Sequence, residues 1–257
     1  MEHFRVVRLD QVLLYLCYNR RPVAAPSVPS PEPTGLRIVS VPFRVTPGAS
    51  MTLLTMVIKI LVAIERILVK TMLSPSRYWL TQDYVSNHAN VWRDCLGRFQ
   101  GKSDTRLLEI GSYEGRSTLW FFENILTHPS STITCIDRFR NRLVEIRFDH
   151  NLAVAGCSQR VVKIKNPSQR ALRILKPDNY HIIYIDGSHR AIDVEADAWL
   201  SWPLLKSGGI CIFDDYLWMP HLPEEDRPQV AIDKFLHAFG SQFKIVHKGY
   251  QVIVEKI

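Results

Sequence analysis

The sequence predicts an α/β fold, with a doubly wound, mostly parallel sheet of seven strands and helices on both faces. Three observations predict it. From residue 104 to the C-terminus, apolar runs alternate with segments of helical periodicity, which is the pattern of strands joined by crossover helices. The first apolar run ends in a glycine turn that leads directly into a helix. The last two runs alternate apolar with polar residues across the short turn Lys248–Gly249, which predicts a closing antiparallel hairpin.

Each element follows from the period of its apolar residues. Strands are predicted at 106–110, 132–136, 160–165, 181–185, 209–213, 242–247 and 250–255. Helices are predicted at 115–127, 140–155, 168–175, 191–204 and 229–239. In the helix at 191–204, the residues that form one apolar stripe are Ile192, Ala196, Trp199 and Leu200.

Length and composition predict one sizeable folded domain with a different front end. The chain has 257 residues, of which 46% are hydrophobic and 22% charged. Seven of its 15 prolines lie in residues 1–50, which we interpret as a disordered, proline-rich extension. Residues 51–103 are expected to be a helical N-terminal region, and residues 104–257 the α/β domain.

The strongest helical pattern of the front half covers residues 51–73. Lys59, Arg66 and Lys70 share one face, and Leu, Ile, Val and Met occupy the remainder. Such a helix can lie on a membrane surface, although packing against its own domain or a second subunit in a homo-oligomer is the commoner use of this pattern. The abrupt change in composition also raises the hypothesis that translation starts at Met51.

The charge of the chain bears on which partners it binds, and its cysteines bear on the redox state of its compartment. The net charge is +7, divided into +3 for residues 1–50 and +4 for the rest. No cluster of basic residues interleaved with aromatics marks a nucleic-acid groove, so no nucleic-acid partner is expected. Five scattered cysteines without a CxxC pair predict free thiols in a reducing, cytoplasmic compartment. The apolar run at 12–18 is too short for a signal peptide.

The most informative segment is RLLEIGSYEGRST, at residues 106–118. A strand ends in a glycine turn, a helix follows, and the next strand ends at Asp137, a spacing that suits binding of a nucleoside. The turn lacks the G-x-G-x-x-G pattern of dinucleotide sites. It carries Glu114, and Glu109 precedes it, so the ligand is expected to be positively charged rather than phosphorylated. S-adenosylmethionine, with its sulfonium and ammonium groups, meets that requirement.

Two groups of motifs resemble a known family. Residues 109–115 resemble the first motif of class I S-adenosylmethionine-dependent methyltransferases, with Tyr113 where many members have a second glycine. The succession IIYIDGSHR, a helix, WPLLKSGG and IFDDY resembles the small sugar and antibiotic O-methyltransferases of methyltransferase domain family 24. The resemblance covers residues 104–257. It implies a Rossmann-like sheet and O-methylation of a small hydroxylated acceptor, such as a sugar or secondary metabolite.

The resemblance also implies roles at the cofactor site. The glycine loop would approach the methionine part of the cofactor, with Glu109 supporting the loop or meeting the ammonium group. Asp137 would accept both ribose hydroxyls or cap the next helix. Ser168 matches the position that contacts adenine in relatives, and it could equally cap the helix from Gln169. The residues assigned to the cofactor are Glu109, Gly111, Ser112, Tyr113, Gly115, Asp137, Ser168 and Asp186.

Three acids follow two neighbouring apolar strands. Asp186, Asp214 and Asp215 would repel one another unless a proton, hydrogen bonds or a cation intervened. Their positions match the metal-binding acids of related O-methyltransferases, and oxygen ligands suit Mg²⁺. The alternative is that Asp186 borders the cofactor pocket and the other two cap the following loop without a metal.

His189 is the candidate general base, with Asp186 as its catalytic partner. A histidine titrates near neutral pH and could take the acceptor hydroxyl proton, although capping or orienting roles fit equally well. Two other functions stay open: a non-catalytic cofactor-binding or membrane-associated interaction protein, and a nicotinamide-dependent oxidoreductase. The oxidoreductase is disfavoured by the missing G-x-G-x-x-G and by the closing hairpin.

Overall fold

The computed structural model describes residues 3–9, 12–18, 77–218 and 220–257. The chain divides into two compact units, Met1–Ile58 and Lys59–Ile257.

The first unit contains a two-stranded hairpin. β1 (His3–Leu9) pairs antiparallel with β2 (Val12–Tyr18), with Leu9 opposite Val12. At these residues the structure differs from the predicted disordered extension. The physical reason is the run VLLYLCY, in which valine and tyrosine have high strand propensity. The rest of that extension, the helix predicted at 51–73 and the Met51 hypothesis lie outside the described residues.

The second unit follows the predicted alternation of strands and helices. Its helices are α1 (Ala89–Leu96), α2 (Arg116–Asn124), α3 (Arg142–Ala155), α4 (Ser168–Ala171), α5 (Ala191–Ser201) and α6 (Pro228–Ala238). Its strands are β3 (Arg106–Ile110), β4 (Thr132–Asp137), β5 (Val161–Lys165), β6 (Tyr180–Ile185), β7 (Leu205–Phe213), β8 (Phe243–Lys248) and β9 (Val252–Lys256).

These seven strands form one mixed sheet in the order β5-β4-β3-β6-β7-β9-β8. β3 to β7 are parallel, and β9 runs antiparallel to both β7 and β8. The predicted fold class, including the closing hairpin, is confirmed. The chain leaves β3 first toward β4 and β5 and later returns on its other side with β6. In an open parallel sheet, the carboxyl edge at such a reversal is where ligands bind.

Alternate strand residues divide the core between the two faces of the sheet. Leu107 and Ile182 pack on one face with α1, α2 and α3, while Leu108 and Ile183 pack on the other with the later helices. Trp92 of α1 is fully buried in the first cluster. The core therefore extends upstream of residue 104, where the α/β domain was expected to begin.

The strand β7 is longer than predicted. β7 starts at Leu205 instead of residue 209, and its register shifts so that Tyr180 faces Leu205 while Ile182 faces Ile210. The predicted turn is thus a bulge within the strand, with Gly208 at φ +73°.

Among the described residues, no helix is both long and apolar enough to cross a membrane.

Candidate active site

The loop between β3 and α2 lies at the carboxyl edge of the sheet. Gly111 has φ +87°, and a Cβ there would lie 1.8 Å from the backbone oxygen of Asp186. The Gly111 N–H donates to the Ile136 carbonyl and the Asp186 N–H to the Ile110 carbonyl, both at 2.8 Å. Glycine is therefore required at 111 because the ends of β3 and β6 meet there.

The remainder of this loop is a tight turn into α2. Gly115 has φ +84° and its N–H donates to the carbonyl of the buried Ser112 at 2.7 Å. Tyr113 has φ +46° and is the exposed residue of the turn. A non-glycine residue with this φ is uncommon and is held here by the surrounding hydrogen bonds.

Glu109 is fully buried behind the loop. Ser117 Oγ donates to its Oε1 at 2.6 Å, and Thr118 Oγ1 donates to its Oε2. Burial raises the pKa of Glu109, and the two hydroxyl donors oppose that rise. Because both oxygens are used inside the domain, the geometry favours the supporting role over direct contact with an ammonium group.

Glu114 does not face a ligand, and the argument that its charge would meet one is wrong. It is buried, it forms an ion pair with Arg147 at 2.8 Å, and it accepts a hydrogen bond from the Thr81 N–H at 2.6 Å. Its charge is therefore neutralised inside the fold. No local spacing indicates this pairing, because Arg147 lies 33 residues away on α3.

Asp137, at the end of β4, holds the glycine loop. Its Oδ2 accepts from the N–H groups of Ser112 and Tyr113, each at 3.0 Å, and its Oδ1 accepts from the Phe139 N–H at 2.7 Å. Asp137 does not cap α3, because Asn141 occupies that position and accepts from the Leu143 N–H. The capping alternative is therefore wrong for Asp137.

A cleft of about 280 Å³ opens beside this carboxylate. Three predicted cofactor residues, Gly111, Asp137 and Ser168, line it. Its other lining residues are Ile110, Ile136, Arg138, Arg140, Asn166, Gln169, Gly187, Ser188 and Asp193. The volume and the mixed polar lining are suited to a nucleoside-sized ligand.

Ser168 is the first residue of α4. Pro167 occupies the cap position, and no side chain caps this helix, so the capping alternative is wrong for Ser168 as well. The Ser168 side chain instead lies close enough to the Asp197 carboxylate on α5 to lower the pKa of that acid. This contact joins one wall of the cleft to the helix behind it.

The carboxylates of Asp186 and Asp214 meet at the ends of β6 and β7. The Tyr184 hydroxyl lies 2.9 Å from Asp186 Oδ2 and also contacts Asp214 Oδ2. Burial raises the pKa of Asp186 well above its ordinary value, and the charges of Asp214 and Asp215 raise it further. Burial followed by the charge of Asp215 also raises the pKa of Asp214. One hydroxyl proton cannot serve two carboxylates at once, so the pair favours a shared proton or a cation.

His189 and Asp215 form the outer half of this acid cluster. His189 Nδ1 lies 2.5 Å from Asp215 Oδ2, and the Tyr250 hydroxyl donates to Asp215 Oδ1 at 2.9 Å. The contact with Asp215 raises the pKa of His189 although burial lowers it. The Trp218 ring packs 5.7 Å from the imidazole. A carboxylate that orients a histidine in this way is typical of a general base.

One ligand atom from each of Asp186, His189 and Asp215 lies within 4.8 Å of the others. Two carboxylates and one imidazole form a donor set that suits a divalent cation. Of the three predicted metal ligands, Asp186 and Asp215 fall in this set. Asp214 lies behind it, with Oδ1 accepting the Asp215 N–H at 2.8 Å. His189, predicted as a base, takes the third position.

Sequence reasoning missed three polar side chains at the site: Tyr184, Asp197 and Tyr250. Tyr184 precedes Asp186 by two residues on one strand, so the period of 2 could have identified it. Asp197 and Tyr250 come from a helix and a hairpin turn, and no local spacing relates them to the site.

The parallel strands and the reversed final hairpin together form the fold of class I S-adenosylmethionine-dependent methyltransferases. Residues 108–216 match the family model described as a methyltransferase domain, the family 24 model. The match agrees with the resemblance found in the sequence, and it covers the strands and loops from β3 to the acids after β7. No curated protein matches the chain significantly.

Solved structures share the fold at low sequence identity. A protein from Klebsiella pneumoniae, described as a candidate O-methyltransferase, is 19% identical with a TM-score of 0.54, over 69% of this chain and 83% of its own. Cofactor-bound Rv0187 from MTB is 16% identical with a TM-score of 0.54, over 68% and 82%. MycE methyltransferase of the mycinamycin biosynthetic pathway, solved with Mg and S-adenosylhomocysteine (SAH), is 17% identical with a TM-score of 0.50, over 68% and 51%.

Proposed function

We propose that the chain is a metal-assisted O-methyltransferase, which transfers the methyl group of S-adenosylmethionine to a hydroxyl of a small acceptor. The observation that carries this proposal is the cluster of Asp186, His189 and Asp215, placed at the same sheet edge as the cleft beside Asp137. One part binds the methyl donor, and the other prepares an oxygen to receive the methyl group.

The cleft supports binding of the nucleoside part of the donor. A carboxylate has about four lone-pair sites, so beside its three N–H donors Asp137 retains about one acceptor site for a ribose hydroxyl. Ser168 would contact adenine. The turn from Gly111 to Gly115 would lie along the methionine part, where Asp186 also borders the donor.

Asp186 and Asp215 would hold a divalent cation such as Mg²⁺, with His189 or Asp214 completing the set. When bound, the ion would polarise the acceptor oxygen and lower its hydroxyl pKa. The residues themselves supply the position: β6 and β7 end side by side, and Tyr184 connects their carboxylates. Holding donor and acceptor close is a major source of acceleration in a bimolecular transfer.

His189 is the proposed base wherever it does not ligate the cation. With Nδ1 directed to Asp215, its Nε2 is the nitrogen left to accept the hydroxyl proton. Because the contact with Asp215 raises the pKa of His189, the rate should rise with pH as this imidazole loses its proton.

The acceptor is proposed to be a sugar or secondary metabolite with a free hydroxyl. Trp218 and Tyr250 are partly exposed beside Asp215, and aromatic faces of this kind pack against small rings. The fold shared with MycE, whose structure holds Mg and SAH, supports the same class.

The test is calorimetric titration of the purified chain with SAH, with and without Mg²⁺, and with NAD as a control. We expect micromolar binding of SAH, about −8 kcal/mol, and no binding of NAD. A folded sample that binds neither would contradict the proposal and favour a non-catalytic interaction protein.

Metal ligation and base catalysis are separated by two variants. Mn²⁺ titration of His189→Gln and Asp214→Asn shows which residue completes the set of ligands. Only the loss of a ligand should lower the affinity for Mn²⁺. A His189→Gln variant that keeps its Mn²⁺ affinity but loses turnover would assign the base role.

A further inference from the structure

Asp197 is a buried acid that the proposed mechanism does not use. It lies on α5 with 1% of its surface exposed, and none of the described Lys, Arg or His side chains forms an ion pair with it. Its Oδ1 has no hydrogen-bond partner among the described residues. A buried carboxylate oxygen without a partner is unfavourable for stability, so its presence calls for another explanation.

The contacts of Asp197 lead to the cleft. The Ser168 hydroxyl lies close enough to this carboxylate to lower its pKa, and a Cβ on Gly187 would lie 3.4 Å from its Oδ2. Ser168 and Gly187 both line the cleft, and Ser188 beside them hydrogen-bonds Asp193 at 2.8 Å. The acid thus stands directly behind the wall formed by α4 and by the loop after β6.

The protonation state of this acid fixes the direction of the serine hydroxyl. Burial raises the pKa of Asp197 to about 6, and the charge of Asp193, one helical turn earlier, raises it further. Near neutral pH, the carboxylate is mostly ionised and only accepts hydrogen bonds, so Ser168 must donate to it. The lone pairs of Ser168 Oγ are then left for a donor in the cleft, and the 6-amino group of adenine is such a donor.

We propose that Asp197 is a positioning residue for the cofactor, which fixes Ser168 as an acceptor toward the adenine end of the cleft. This rests on the proposed assignment of the cleft to S-adenosylmethionine. Below pH 6, a protonated Asp197 can donate to Ser168 instead, so the serine no longer presents the same lone pairs. Affinity for the nucleoside should therefore fall as Asp197 gains its proton.

The experiment measures SAH and adenosine affinities by calorimetry at pH 5.5 and 7.5, in the wild type and three variants. Asp197→Ala removes the acceptor, and Asp197→Asn keeps an acceptor oxygen but removes the titration. Glu195→Gln is the matched control, because Glu195 lies on the same helix and pairs at the surface with Lys234 at 3.1 Å. Melting temperature and Mn²⁺ affinity are recorded for each protein.

At pH 7.5, we expect Asp197→Ala to weaken the binding of SAH and of adenosine by about the same factor, roughly tenfold. Its Mn²⁺ affinity should be unchanged. Asp197→Asn should stay within about threefold of the wild type and lose the difference between pH 5.5 and 7.5. Glu195→Gln should behave as the wild type.

The proposal would be overturned if a folded Asp197→Ala variant bound SAH and adenosine as tightly as the wild type does. If that variant does not fold, Asp197→Asn decides, and a pH dependence equal to that of the wild type overturns the proposal. Absence of SAH binding by the wild type itself would instead refute the cofactor assignment, and the positioning role with it.

Discussion

The two halves of the sheet edge treat their acids in opposite ways. Beside β3 and β4, each acid has its own donors, and the three are Glu109, Glu114 and Asp137. Beside β6 and β7, Asp186 and Asp214 compete for the single hydroxyl of Tyr184. The first half is a stable framework that holds a loop. The second half keeps charges that repel, so it is the part built for a ligand rather than for stability.

The largest effect on stability is expected at Gly111, where the two halves of the sheet edge meet. Gly111→Ala places a Cβ 1.8 Å from the Asp186 backbone oxygen at φ +87°, so we expect loss of more than about 3 kcal/mol of folding free energy, measured by chemical denaturation. Gly156→Ala is the control, since Gly156 has φ +71° but nothing within 4 Å of its Cβ position. It should cost about 1 to 2 kcal/mol. Equal losses would show that strain, not the contact, matters at 111.

The second largest effect, on metal affinity, is expected when one of the competing carboxylate charges is removed. Asp186→Asn should weaken Mn²⁺ binding by about 100-fold or more, because a ligand is lost, and should raise the melting temperature of the metal-free protein at pH 8. Asp149→Asn, a surface acid paired with Lys163, is the control. Unchanged Mn²⁺ affinity in Asp186→Asn would refute a cation site at this half.

On the framework half, Asp137→Ala leaves three backbone N–H groups without their acceptor. We expect a loss of about 1 to 3 kcal/mol of stability and at least about tenfold weaker SAH binding. Asp137→Asn, which keeps one acceptor oxygen, should lie between that variant and the wild type. Tight SAH binding by a folded Asp137→Ala would remove this residue from the cofactor site.

The smallest effect is a dependence of stability on pH. Asp186 and Asp214 have folded pKa values raised above their unfolded values, so their contribution is greatest at acidic pH and is lost as pH rises through the folded values. The melting temperature of metal-free Asp186→Asn should therefore exceed that of the wild type by a few degrees more at pH 8 than at pH 5.5. Saturating Mg²⁺ should reduce this gap, and a constant gap would contradict the repulsion.

The sequence was informative wherever one element carries the signal. Apolar runs predicted the strands of the sheet, and acids that end a strand must meet at its carboxyl edge, which is how Asp137, Asp186 and Asp214 were found. It was uninformative where two distant elements meet. The local sequence predicts that Glu114 faces a ligand, because nothing near it indicates its partner Arg147 on α3. For the same reason, the contact between Ser168 and Asp197 could not be predicted.

The start of β7 shows a second kind of limit. Lys206 to Gly209 has the composition of a turn, yet it lies within the strand as a bulge opposite β6. Local propensity predicted the irregularity correctly, but pairing with the neighbouring strand decides whether an irregular segment ends an element or interrupts it.

Trp92 has a consequence for anyone who shortens, fuses or recombines this enzyme. It lies upstream of the matched domain, yet its ring stacks on Phe121 at 4.9 Å and meets Tyr184 edge-on at 5.1 Å, and its Nε1–H donates to Gln251 at 2.7 Å. A protein truncated at residue 104 would lack Trp92 and so have a cavity beside Tyr184, the residue that contacts both Asp186 and Asp214. The smallest transferable unit therefore has to include α1, and the sheet and this front helix can be exchanged between relatives only together.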